Sequence, residues 1–169
     1  EMVLKEIGFS RTGQGSTGSG LVSLPEILAA NNLPNTELLL IDGSGLSRDN
    51  QATCGLFQGI LQDDEYGLTL KEALPLVGVE GVVSNTLRGT TFESNLVAHA
   101  YFEKDRGAMV GSYTTPQGLE INITYIANYD DTESAESIHQ RFLNGLAPIL
   151  SEFTGGKTLE EMGPRSVFE

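Results

Sequence analysis

Two serines in the segment 42–50 are the first residues whose types and spacing could support catalysis. Residues 45–49 read Gly-Leu-Ser-Arg-Asp, which nearly matches the G-x-S-x-G turn that exposes a nucleophilic serine at a strand end. Asp49 stands where that turn needs its second glycine. A serine hydrolase that uses Ser44 or Ser47 is therefore one hypothesis, and a tight turn without chemistry is the other.

Two histidines and one cysteine limit the other chemistry of the chain. His99 falls in a predicted strand, where we expect it to be half-exposed, and His139 falls on a predicted helix, where we expect it to be solvated. Either imidazole could act as a base toward a serine. A structural zinc site usually needs four Cys or His ligands, and the single Cys54 excludes an internal disulfide. The sequence therefore predicts no bound metal and no cofactor.

A glycine-rich segment, residues 13–18, matches the dinucleotide-binding pattern G-x-G-x-x-G letter for letter. In that motif a strand precedes the glycines, so that the backbone approaches a pyrophosphate at the N-terminus of the next helix. Here the preceding residues have the periodicity of a helix. We therefore expect a surface loop.

The charge of the chain argues against several classes of partner. Acidic residues outnumber lysine and arginine by 23 to 10, which gives a formal net charge of −13. Nucleic acids and anionic membrane surfaces both attract clustered basic residues, so we expect neither as a partner. No apolar run of about eighteen residues predicts a transmembrane segment, and the N-terminus lacks the features of a signal peptide. Because the sequence starts at Glu1, we expect a mature product or a piece of a longer protein.

Helices dominate the predicted N-terminal half. Apolar spacing predicts a first helix that ends near Gly8, a glycine-rich loop, and a second helix that ends at residues 31–32. Residues 37–41 form a short apolar run that predicts a buried strand. A third helix is expected within residues 51–63, with Thr53 or Asn50 as its N-cap, and a short fourth helix at residues 69–76.

The C-terminal half predicts an antiparallel sheet covered by one helix. Three segments, 95–104, 107–115 and 119–129, have strand composition and are separated by short turn-like sequences. Residues 130–153 then predict an amphipathic helix, with acidic residues in its first turn. Its expected apolar stripe comprises Ile138, Phe142, Leu146, Ile149 and Leu150. The pattern predicts one α+β domain over residues 1–169, with an antiparallel sheet of at least three strands, a C-terminal helix packed on it, and helices in the N-terminal half.

Three segments resemble one family of peptidases. These are residues 42–50 (DGSGLSRDN), 74–83 (LPLVGVEGVV) and 111–129 (GSYTTPQGLEINITYIANY). They are similar to the penicillin-binding serine D-Ala-D-Ala carboxypeptidases and endopeptidases of low molecular mass, class C, which trim peptidoglycan stem peptides. The signature turn of the first segment comprises Asp42, Gly43, Ser44, Gly45, Leu46, Ser47 and Arg48.

The resemblance implies the C-terminal part of the catalytic domain, within a penicillin-binding, β-lactamase-like transpeptidase fold. Such enzymes carry three boxes, Ser-x-x-Lys, Ser-x-Asn and Lys-Thr-Gly. None of the three occurs in this sequence. Aligned on the segment that follows, the third box falls on His99, Ala100 and Tyr101, which is a degenerate substrate-binding position. The resemblance therefore implies a cell-envelope location, periplasmic or extracellular, but no catalytic residue in this chain.

Two explanations remain open at this point. The chain is either a fragment or processed product of a longer peptidase, or a degenerate domain that serves as a noncatalytic binding or scaffold module of the cell envelope. The expected partner is a peptidoglycan stem peptide or a protein, including the missing N-terminal part of the fold. The acidic surface of this chain favours basic partners.

Overall fold

Residues 1–85, 87–103, 105–128 and 135–156 are described by a computed structural model of the protein. The chain divides into two compact units. The first contains residues 1–70 with residues 124–126, and the second contains residues 71–123 and the chain from residue 127 onward. In the part of the chain that the structure describes, no helix is both long and apolar enough to cross a membrane.

Two helices cross closely in the first unit. Helix α1 spans Met2–Thr12 and helix α2 spans Thr17–Ala30. A Cβ on Gly20 would lie 2.0 Å from the carbonyl oxygen of Leu4, and a Cβ on Gly8 would lie 2.8 Å from the amide nitrogen of Gly20. Only glycine permits this contact between backbones. The expectation that α1 ends near Gly8 is therefore wrong, because Gly8 is a packing residue inside the helix.

The loop between α1 and α2 is shorter than the sequence predicts. Helix α1 ends at Thr12 and is capped by Gly13, whose φ of +74° is the left-handed conformation of a glycine cap. Helix α2 begins one residue after Ser16, whose hydroxyl accepts a hydrogen bond from the Ser19 amide. The predicted surface loop is thus confined to four residues, and the last glycine of the G-x-G-x-x-G segment, Gly18, lies inside α2.

The predicted buried strand at residues 37–41 is wrong. Leu39 forms an isolated antiparallel bridge with Gln51, and the side chains of Leu39 and Ile41 are about half exposed. A strand needs a neighbouring strand on its hydrogen-bonding edge, and this bridge supplies one pair only. Helix α3, Cys54–Gln62, follows with the hydroxyl of Thr53 accepting from the Leu56 amide, which confirms one of the two predicted N-caps.

A three-stranded antiparallel sheet forms the centre of the second unit, to which all residues of the sheet belong except 124–126. Helix α4, Gly67–Ala73, leads into it, and a 3-10 turn covers Gly81–Val83. The strands are β1 (Leu96–Phe102), β2 (Arg106–Thr114) and β3 (Glu120–Asn128), in the spatial order β1-β2-β3. Leu96 pairs with Tyr113 and Phe102 with Gly107. The three predicted strands are confirmed.

Helix α5, Ala135–Ser151, covers one face of the sheet. Its buried Leu143 and Ala147 pack with Met109 and Tyr113 of β2 in the core of the second unit. The predicted cover is confirmed, but part of its predicted stripe is wrong. Phe142 and Ile149 are 45% and 66% exposed, whereas His139 has no exposed surface. Residues 130–134, which contain three of the acidic residues predicted for the first turn of this helix, lie outside the described residues.

Candidate functional site

The signature turn is organised around the carboxylate of Asp42. Its Oδ1 accepts from the backbone amides of Ser44 and Gly45, at 3.0 and 2.8 Å, and its Oδ2 accepts from the Ser47 amide at 2.7 Å. Partial burial opposes ionisation, but hydrogen bonds from the Asn50 side chain and from these amides outweigh it and lower the pKa of Asp42 to about 2. The carboxylate is therefore charged at neutral pH and holds the turn closed.

Two further side chains fix the entrance of the turn. Asn50 accepts the Ile41 amide on its Oδ1 at 2.7 Å and donates from its Nδ2 to Asp42. Glu1 accepts the Gly43 amide on Oε1 at 2.9 Å and the Thr17 hydroxyl on Oε2 at 2.8 Å. The Thr17 and Gly43 hydrogen bonds lower the pKa of Glu1. The turn is thereby tied to the start of both α1 and α2.

The two serines of the turn serve the main chain. The Ser44 hydroxyl accepts from the Leu46 amide and the Ser47 hydroxyl accepts from the Asp49 amide, both at 3.3 Å. These contacts are the short-range turns that serine favours in loops. Within the turn, Gly45 adopts the left-handed backbone conformation, with a φ of +77°. The geometry supports the hypothesis of a structural turn over that of a nucleophile.

His99, Ala100 and Tyr101, the residues predicted to stand at the third-box position, lie on β1 in the second unit, whereas the signature turn lies in the first. His99 is exposed, so the expected exposure of this side chain is confirmed. Ala100, on the opposite face, is buried in the core and pairs with Met109. Tyr101 is partly buried and pairs with Ala108. His99 and Tyr101 thus lie on one face of the strand. Ala100, on the other face, has no hydroxyl.

Tyr101 belongs to a cluster at the end of the β1–β2 hairpin. Its hydroxyl donates to Oε1 of Glu103 at 2.5 Å, and Oε2 of Glu103 accepts from Nε of Arg106 at 2.9 Å. The Arg106 guanidinium lies 5.8 Å from the centre of the Tyr101 ring. The hydrogen bond to Glu103 raises the pKa of Tyr101. The ring is therefore held in place from its hydroxyl and from its face.

Comparison with known families assigns the chain. Residues 1–142 match the D-Ala-D-Ala carboxypeptidase 3 (S13) family. The chain belongs to this family. A curated relative, the D-alanyl-D-alanine carboxypeptidase of Actinomadura sp. strain R39, is 28% identical over 168 residues. That match covers 95% of this chain but 30% of the relative, so the chain spans about a third of the length of the S13 enzyme.

Solved structures share the fold of this S13 chain. Penicillin binding protein 4 of Haemophilus influenzae superposes with a TM-score of 0.74 and 22% identity, over 89% of this chain and 36% of that one. A predatory endopeptidase of Bdellovibrio bacteriovorus, solved with an immunity protein, superposes with a TM-score of 0.63 and 16% identity, over 94% and 46% of the two chains. The α+β, penicillin-binding-protein fold predicted from the sequence is confirmed.

Sequence reasoning missed two parts of the site. The Tyr101–Glu103–Arg106 cluster left a detectable signal, because an acidic and a basic residue three positions apart at a hairpin end can pair with an aromatic residue two positions before the acid. Glu1 left no such signal, because its partner Gly43 is 42 positions away.

Proposed function

We propose that this chain is a noncatalytic part of an S13-family protein of the cell envelope, and that it forms no acyl-enzyme by itself. The family's reaction is serine-type hydrolysis at the D-Ala-D-Ala end of a peptidoglycan stem peptide. The observation that carries the proposal is the sequence at the third-box position, His99-Ala100-Tyr101, with Tyr101 held by its neighbours. Membership in the family supports the location and the ligand class.

The substitutions remove what the third box supplies. A lysine ammonium and a threonine hydroxyl bind the substrate carboxylate and stabilise charge in the transition state. The His99 side chain is shorter than that of lysine and carries a positive charge only when it is protonated. Ala100 has no hydroxyl. Tyr101 fills the space that glycine leaves for a peptide backbone. A stem peptide would therefore lose both its anion contacts and its room along β1.

Two origins are compatible with this proposal. A fragment or processed chain would lack the first two boxes because they lie elsewhere in a longer protein, but this origin does not account for the changed third box. A degenerate homologue accounts for the changed third box. We therefore favour a noncatalytic binding or scaffold module whose ligand is a stem peptide, or a protein that includes the remaining part of the fold. Exposed apolar side chains on α1 and α2, such as Met2 at 85% and Val22 at 75%, support a protein partner.

The test compares the chain with a restored-box variant, His99→Lys with Ala100→Thr and Tyr101→Gly. Each protein is incubated with fluorescent penicillin, with a fluorophosphonate, and with a fluorescent peptide ending in D-Ala-D-Ala, with penicillin binding protein 4 of H. influenzae as the positive control. We expect no covalent adduct on either variant. We expect the restored variant to bind the peptide at least ~10-fold more tightly, because it regains charged and hydrogen-bonding contacts.

Three results would contradict the proposal. A penicillin adduct on the unmodified chain would show that the chain forms an acyl-enzyme by itself. A fluorophosphonate adduct that disappears in Ser44→Ala or Ser47→Ala would support the unrelated hydrolase instead. A folded restored variant that binds the peptide no better than the unmodified chain would show that the third-box residues do not control peptide binding. Tyr101→Phe is the matched control for the restored variant, because it keeps the aromatic ring at this position and removes only the hydroxyl.

A further inference from the structure

A cleft lined by both polar and apolar side chains lies in the second unit, on the sheet face opposite α5. Its volume is about 320 Å³, and it opens between the sheet and the segment that contains Lys71 and Leu76. Leu76 bridges to Val97 of β1, so this wall is anchored to the sheet by backbone hydrogen bonding. A water molecule occupies about 30 Å³ in the liquid, so the cleft has room for a small organic molecule.

One ion pair crosses the wall of the cleft. The Nζ of Lys71 pairs with Oε1 of Glu120, and both residues line the cleft. The Lys71 side chain is only 16% exposed, whereas that of Glu120 is 52% exposed. Because Glu120 is half in water, a ligand that supplies a new partner to each charge can replace this contact. The cleft therefore offers one cation and one anion side by side.

A buried hydroxyl lines the same cleft as the pair. Ser112 of β2 is 5% exposed and lines the same cleft. Among the described residues, its Oγ has no hydrogen-bond partner. A buried hydroxyl without a partner destabilises a fold, so a group that supplies an acceptor here gains binding energy. Thr114, two positions along the same strand, adds a second hydroxyl to the lining.

The rim of the cleft carries backbone strain. Ser94 has a φ of +61°, in the left-handed region that residues other than glycine rarely adopt. Its amide donates to the Val77 carbonyl at 3.1 Å, which holds this conformation. Strained residues of this kind cluster at ligand sites, where surrounding contacts fix them. Ser94 also lines the cleft, so the strained backbone and the unpartnered Ser112 hydroxyl lie in the same cleft.

We propose that this cleft binds the zwitterionic end of a small α-amino acid. The ligand enters between Lys71 and Glu120, its carboxylate pairing with the ammonium of Lys71 and its ammonium with the carboxylate of Glu120. One ion pair becomes two, and the net charge of the site is unchanged. The ligand carboxylate also brings an acceptor to the Ser112 hydroxyl. This site uses none of the third-box residues, and it is independent of the proposed function.

The test titrates the isotope-labelled chain with D-alanine and L-alanine and follows amide chemical shifts by NMR. Acetate and methylammonium, each of which carries half of the zwitterion, serve as separate probes. We expect both enantiomers to saturate with a Kd of about 1 mM, and each half-ligand to bind at least ~10-fold more weakly. Lys71→Met and Glu120→Gln should each raise the Kd for alanine by ~10-fold or more.

Two further variants separate binding from folding. Ser112→Ala should weaken alanine binding ~3-fold or more without lowering the Tm, because it removes a hydroxyl that has no partner. Lys5→Met, which removes an exposed lysine outside the cleft, should leave the Kd unchanged. The proposal is overturned if alanine does not saturate, if acetate binds as tightly as alanine, or if folded Lys71→Met binds as well as the unmodified chain.

Discussion

His139 has no solvent-exposed surface, and its ring lies 4.4 Å from the ring of Phe102, centre to centre. Burial lowers its pKa to about 4, because the low-dielectric interior disfavours the imidazolium. His99, on the exposed face of β1, is a solvent-exposed residue. The two histidines of this chain therefore differ in role, since one is a core residue and the other a surface residue.

The buried histidine should make the second unit sensitive to acid. Its pKa returns to about 6.5 on unfolding, so its contribution to stability is complete above pH 6.5 and is lost as the pH falls toward 4. We expect a loss of up to about 3 kcal/mol in the free energy of unfolding over this window. Urea titrations across the window measure it. His139→Leu should remove this pH dependence of the free energy of unfolding, and the control His99→Leu should keep it. If the free energy of unfolding of His139→Leu depends on pH as steeply as that of the unmodified chain, His139 is not buried.

At the scale of elements, the crossing of α1 and α2 depends on glycines whose positions in the sequence look alike. Gly18 and Gly20 both lie in α2, two residues apart. A Cβ on Gly18 would meet no atom within 4 Å, whereas a Cβ on Gly20 would overlap the Leu4 carbonyl. One glycine is required by the crossing, and the other only lowers the helix propensity.

A pair of alanine substitutions tests this difference. Gly20→Ala should lower the free energy of unfolding by about 1–3 kcal/mol, because the two helices must move apart. Gly18→Ala should raise it by about 0.5–1 kcal/mol, because alanine favours the helix at an open position. Thermal unfolding followed by circular dichroism compares the two. A loss of stability in both variants, or in neither, would mean that α1 and α2 do not cross at Gly20.

At the scale of the whole molecule, charge opposes self-association. The net charge of −13 at pH 7 keeps molecules apart, although several large apolar side chains of the first unit are exposed. The sequence isoelectric point is about 4.4. Near that pH the repulsion disappears while the apolar surface remains.

Acidification should therefore cause association. We expect light scattering to stay low at pH 7 and to rise steeply between pH 5 and the isoelectric point of about 4.4. Met2→Glu, which removes exposed apolar surface and adds negative charge above the isoelectric point, should reduce the scattering at pH 5, whereas Lys5→Arg should not change it. Equal scattering at pH 7 and at the isoelectric point would mean that charge does not keep this chain dispersed.

The sequence by itself determined the sheet, the order of the helices and the family. The alternation in residues 119–129 and the turn ending at Gly118 are local signals, and residues 42–50 identify the family without any contact information. The extent of one domain over residues 1–169 stays a prediction. Only the tertiary structure decided that α1 continues through Gly8, that Leu39 forms a bridge rather than a strand, and that α5 buries His139 and Leu143 instead of Phe142. The physical reason is shared: each outcome depends on which distant backbone or side chain lies opposite, and periodicity along the chain does not specify that neighbour.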